Sequence, residues 1–97
     1  MITRVVKMIF RPEEVLSFQQ LFEERKHLIR GFEGCTHLEL WQDNNDPSIF
    51  FTYSIWDTES HLEAYRASGF FDDTWKLTKS KFADKPQAWT VKQLHQL

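Results

Sequence analysis

Between Ile2 and Phe10 the side chains alternate. Ile2, Arg4, Val6, Met8 and Phe10 share one face, and Thr3, Val5, Lys7 and Ile9 share the other. The spacing predicts a strand in which neither face is cleanly polar. At Arg11-Pro12-Glu13-Glu14 the period changes and a helix is predicted to start, since Pro suits a first helical position and acids in the first turn complement the dipole. Val15, Phe18, Phe22 and Ile29 then lie close to one stripe, with Leu21 and Leu28 beside it. Phe18 and Phe22 are expected on its buried side. Arg25, Lys26, His27 and Arg30 crowd the last turns, and Gly31 or Gly34 ends the helix.

Cys35 to Gln42 reads as a second strand, and Asp43-Asn44-Asn45-Asp46-Pro47 is a turn cluster of the kind that joins antiparallel strands. Ser48 to Trp56 is rich in aromatic and β-branched residues and predicts a third strand. Asp57 or Thr58 can cap the helix that follows, with Leu62 and Tyr65 on one face. Ser68-Gly69 interrupts it. Phe71, Trp75, Thr78 and Phe82 resume helical spacing to about Phe82. After a turn at Asp84 to Pro86, a fourth strand is predicted over Gln87 to Leu94.

The order β-α-β-β-α-β predicts an α+β, ferredoxin-like domain over residues 1–97, a four-stranded antiparallel sheet with helices on one face. The free face of such a sheet is polar in a monomer. Here Val5 and Ile9 back Val6 and Met8, while Ile49, Phe51 and Ile55 back Phe50 and Trp56. An uncovered apolar face marks an interface, and a second copy is the commonest cover, so a homodimer is predicted.

A chain of 97 residues suits one domain. The net charge of −2 gives no general attraction to nucleic acid. A single cysteine, Cys35, excludes an internal disulfide framework and suits a reducing compartment. No basic segment leads an apolar one at the start, and no apolar run reaches membrane-spanning length. The expectation is a cytoplasmic protein without membrane or nucleic-acid partners. Aromatic residues make up 15% of the chain, enough for a packed core, a pocket or an interface.

Several short stretches stand in a telling register. Pro12-Glu13-Glu14 opens the first helix and Gly31-Phe32-Glu33-Gly34-Cys35 leads into the second strand. Asp46-Pro47 precedes Phe50-Phe51, and Trp56 closes the third strand. Leu62-Glu63-Ala64-Tyr65 is followed by Ser68 and Phe70-Phe71. Together they resemble the antibiotic biosynthesis monooxygenase domain family, a dimeric α+β barrel, over nearly the whole chain. The resemblance implies two sheets packed face to face across a two-fold axis, with a small-molecule pocket in each subunit between sheet and helices. Some members of that family oxygenate polyaromatic phenols without metal or flavin, and some act on quinols, so the resemblance implies such an activity. Some members degrade heme and others have no known reaction. The heme-degrading branch carries Asn, Trp and His where this chain has Val6, Tyr65 and Trp75. An indole does not ligate iron as imidazole does, so that activity does not carry over.

The candidate catalytic residues are Tyr65 and His37, and the candidate substrate-binding residues are Arg4, Val6, Trp56 and Trp75. Tyr65 is a hydrogen-bond donor to a substrate oxygen, or else an aromatic packing anchor with its hydroxyl at the surface. His37 is a general base in mid-strand, or a half-exposed residue paired with Glu39. Arg4 anchors a substrate carboxylate or phenolate, or snorkels past the sheet edge. Trp75 and Trp56 are pocket walls or plain core. Val6 enters by its position in the resemblance. No His, Cys and carboxylate set shows metal-ligand spacing, so no metal is expected. With no phosphate loop or dinucleotide fingerprint, and a resemblance that implies cofactor-free chemistry, no cofactor is expected. The sequence thus predicts a cavity bounded by Tyr65, Trp75 and the first strand, with Arg4 or His37 as its polar contact. The leading function is a cofactor-independent monooxygenase of a small aromatic or quinol-like compound. The alternative is a non-catalytic small-molecule-binding or structural dimeric domain of the same fold.

Overall fold

The computed structural model describes all residues from Met1 to Leu97. Strands β1 (Ile2–Ile9), β2 (Cys35–Gln42), β3 (Ile49–Trp56) and β4 (Gln87–Val91) form one sheet in the order β2-β3-β1-β4. Every neighbouring pair is antiparallel. The β-branched and aromatic runs of β1 and β3 take the two central places, where both neighbours are strands. Helices α1 (Val15–Arg30), α2 (Glu59–Arg66) and α3 (Gly69–Lys79) cover one face. The fold is the ferredoxin-like α+β arrangement that the sequence predicts.

Several boundaries differ from the sequence reading, each for a local reason. Pro12–Glu14 forms a single 3-10 turn, and α1 begins only at Val15. Strand β1 stops at Ile9, and Phe10 bridges to Phe82 beyond the end of α3. That bridge removes Phe82 from the helix, which ends at Lys79. Strand β4 ends at Val91, where its pairing with β1 runs out.

The second covering helix is two helices. Thr58 caps α2, its hydroxyl accepting the His61 N–H at 3.2 Å. Ser68 is the joint between α2 and α3. Its hydroxyl donates to the Tyr65 carbonyl at 2.6 Å and accepts the Phe71 N–H at 3.1 Å. One side chain thus satisfies the end of one helix and the start of the next.

The core is divided. At one end Met8, Phe10, Phe18 and Phe50 pack together, with Phe10 fully buried. At the other end Cys35, Trp56 and Leu62 form a smaller cluster. Phe18 is buried as the stripe predicts, whereas Phe22 is only half-buried and borders the space between the clusters.

Candidate functional site

Side-chain size explains why that space stays open. On the helix-facing side of β3 the sequence reads Phe50, Thr52, Ser54, Trp56, two small polar residues between two large aromatics. The strand register sets Ser54 opposite both Leu38 and Arg4, and Arg4 opposite Thr90. The next row runs Leu40, Thr52, Val6, Ala88. These rows of mostly small residues form a floor that the helices do not reach. At Ser68 the covering helix breaks into α2 and α3. A cavity of about 320 Å³ remains, bounded by these strands and all three helices. Ligand pockets run from about 300 to 1,000 Å³, so it is of a size for a small molecule.

Trp56 is 1% exposed and donates its indole N–H to the Ser54 hydroxyl at 3.0 Å. Ser54 therefore keeps its own proton to offer. Tyr65 stacks on Trp56 with ring centroids 5.1 Å apart and meets Phe32 and Phe71 edge-on. Phe71 in turn stacks on Trp75 at 6.0 Å. Tyr65 and Trp75 are thus linked through Phe71, and both line the cavity. Burial first, then the nearby Cys35 thiol, pushes the Tyr65 phenol well above its ordinary range. The group stays protonated at physiological pH, with its proton available to donate.

Three arginines also line the cavity: Arg4, Arg25 and Arg66. Arg25 donates to Asp73 at 2.8 Å and to the Thr74 hydroxyl at 2.7 Å. Arg66 donates to Glu63 at 3.2 Å, one turn back on α2. Arg4 donates to the neutral Thr90 hydroxyl at 2.9 Å. Burial first, then the Arg66 charge, eases loss of the Arg4 proton, and Glu63 opposes this. No Asp, Glu, His or Cys is among the lining residues.

Of the residues singled out from the sequence, Arg4, Val6, Trp56, Tyr65 and Trp75 are brought around this one cavity. His37 is not. Strand alternation turns Leu38 and Leu40 toward the helices and sends His37, Glu39 and Trp41 to the opposite face. There His37 contacts Glu39 and meets Tyr53 edge-on at 5.9 Å. The expectation that His37 joins the cavity as its base is corrected on this ground. Sequence reasoning missed Arg25, Arg66, Thr52 and Ser54. The small polar pair inside the alternation of β3 was the available signal, since alternate inward positions of a buried strand otherwise carry large side chains. No group of three or more His, Cys, Asp and Glu converges elsewhere. No helix is long and apolar enough to cross a membrane.

A split-βαβ sheet with an aromatic-walled cavity under its helices defines the class of α+β domain. The family model for antibiotic biosynthesis monooxygenase matches residues 1–76, and the chain belongs to that family. A solved antibiotic biosynthesis monooxygenase is similar with a TM-score of 0.91 and 18% identity, over 98% of this chain and 100% of that one. A conserved protein from Methanosarcina mazei Go1 is similar with a TM-score of 0.89 and 22% identity, over 96% of this chain and 93% of that one. At such identities the likeness establishes the fold. Among curated proteins none matches.

Proposed function

We propose that the protein is a cofactor-independent monooxygenase of a small phenol or quinol-like aromatic compound, bound in the cavity between sheet and helices. The observation that carries the reading is the joining of Tyr65, Trp75, Trp56 and Arg4 around one space of ligand size in a member of this family. The reaction takes a phenol with a free ring C–H and O₂ to a quinone and water. The phenolate gives up an electron to O₂, and recombination forms a C–O bond. Loss of the ring proton then breaks the O–O bond, with one oxygen kept as the new carbonyl and the other leaving as water.

The cavity lining contains no carboxylate, imidazole or thiol to take the first proton. Ionisation instead rests on the substrate's own acidity, assisted by the positive field of the arginines and by the Tyr65 hydroxyl donating to the developing oxyanion. Trp56, Trp75 and Val6 hold the ring and keep water out. Rates are expected to rise with pH along the ionisation of each phenol tested. A rising limb fixed near the histidine range across a series of phenols would contradict this. Tyr65→Phe removes only the hydroxyl and is expected to lower oxygen consumption about 100-fold. Unchanged turnover would take Tyr65 out of the reaction.

The missing base also favours a second reading, a carrier or sensor that binds such a molecule without turning it over. Oxygen-electrode assays with ligands that bind by calorimetry separate the two, since a carrier binds them and consumes no oxygen.

The assembly proposed for either reading is a homodimer. The outer sheet face presents Val5, Ile9, Phe51, Tyr53 and Ile55, with Trp41, Trp89 and Val91 more than two-fifths exposed. Light scattering is expected to give about twice the 11.7 kDa chain mass, and Phe51→Asp to shift the population to monomer. A wild-type monomer at micromolar concentration would rule out this assembly.

A further inference from the structure

We propose that the molecule accepted by the cavity carries a permanent carboxylate besides its aromatic ring, and that Arg4, with Arg66 beside it, receives that group. The inference deepens the small-aromatic reading above and rests on it.

A cavity built for a neutral ring has no need of three guanidinium groups among its walls, and the acids that offset two of them, Asp73 and Glu63, lie outside the lining. Each arginine differs in what already occupies it. Arg25 is held by Asp73 and Thr74. Arg66 has its own carboxylate, Glu63, but this is a surface pair within one helix turn, with side chains 41% and 57% exposed. Such pairs are weak and readily exchanged. Arg4 is the least compensated, with the charge of Glu63 acting on it only through space. It is only partly exposed, it makes no salt bridge, and its side chain bonds to a hydroxyl that carries no charge. A guanidinium has five N–H donors, and that bond uses one of them.

The remaining donors form a planar fork that matches two coplanar oxygens. A carboxylate supplies both, whereas a phenolate supplies one. The register adds to the argument. Arg4 stands between Ser54 and Thr90 in one cross-strand row, and the Ser54 hydroxyl has a proton free because it accepts from Trp56. A carboxylate over this row meets the Arg4 fork and the Ser54 hydroxyl together. The apolar row of Val6 and Ala88 and the Trp75 wall then lie under the ring. Like-charge crowding between Arg4 and Arg66 is relieved when an anion enters. An arginine that merely fills space gains nothing from such an occupant.

The test is calorimetric titration of the intact protein at pH 7 with 2-naphthoate and its neutral counterpart 2-naphthalenemethanol. Wild-type protein is expected to bind 2-naphthoate at least about tenfold more tightly, the effect of a charge-assisted bond in a sheltered site. Arg4→Met keeps the bulk of the side chain without its charge and is expected to bring the two affinities together, with the thermal transition retained. Equal binding of the two probes by wild-type protein overturns the carboxylate proposal while leaving the aromatic cavity intact. Binding of neither probe overturns both readings. A preference for 2-naphthoate that survives in Arg4→Met overturns the assignment to Arg4.

Discussion

Replacing Phe10 by Ala is expected to bring the protein close to its unfolding threshold. Phe10 lies just past β1, and the bridge to Phe82 fixes its backbone. Its side chain has no exposed surface, and its ring stacks on Phe18 at 4.1 Å. It also meets Phe50 at 5.7 Å and Phe82 at 5.3 Å. Truncating a buried Phe costs about 3–5 kcal/mol, through lost transfer energy and the cavity left behind. Small domains hold only about 5–15 kcal/mol in all. The expected outcome is a fall in Tm of about 12 °C or more. In the same series Phe22→Ala is expected to cost clearly less, because that ring already borders open space. Equal losses for the two would mean that the packed end of the core extends farther than the contacts indicate. A loss below about 1 kcal/mol for Phe10→Ala would refute its placement as a closed core residue.

Gly34→Ala is the second large effect. Gly34 holds φ at +86°, and its carbonyl accepts the Asp57 N–H at 2.8 Å, which ties the approach to β2 to the start of α2. The left-handed conformation alone costs a residue with a Cβ about 1–2 kcal/mol. A Cβ here also comes within 2.3 Å of His61 Cγ and 2.4 Å of His61 Cβ. Those atoms lie near the α2 backbone and do not swing aside as a long side-chain tip does. The total is expected to exceed about 2 kcal/mol in urea denaturation. The double variant Gly34→Ala/His61→Gly removes both contacting atoms, so it is expected to relieve the clash and retain the conformational part. Additive losses in that cycle would show that the His61 contact is not the source.

The sequence carried most of the architecture. Alternation in β1 and β3 gave both strands but not which face turns inward, since both faces are apolar, and the stripe through Phe18 placed the buried side of α1 there. The Pro12 turn and the end of α3 were less visible, because propensity cannot show that Phe10 and Phe82 would pair across the fold. The site was half legible. Tyr65, Trp75, Trp56, Val6 and Arg4 were named and do meet. His37 was named for its chemistry, although counting in twos from Leu38 already turns it to the other side. Arg66 escaped notice because it sits among the surface charges of a short helix, and only the packing of α2 over Arg4 brings it to the cavity.

The division of the core has an evolutionary consequence. Each end closes on its own aromatic cluster, so the stretch between them bears little of the load that keeps the chain folded. Substitutions at Thr52 or Ala88 change which molecule fits while leaving both clusters to hold the sheet against the helices. A lineage built this way can reshape its cavity through single replacements, without passing through unfolded intermediates.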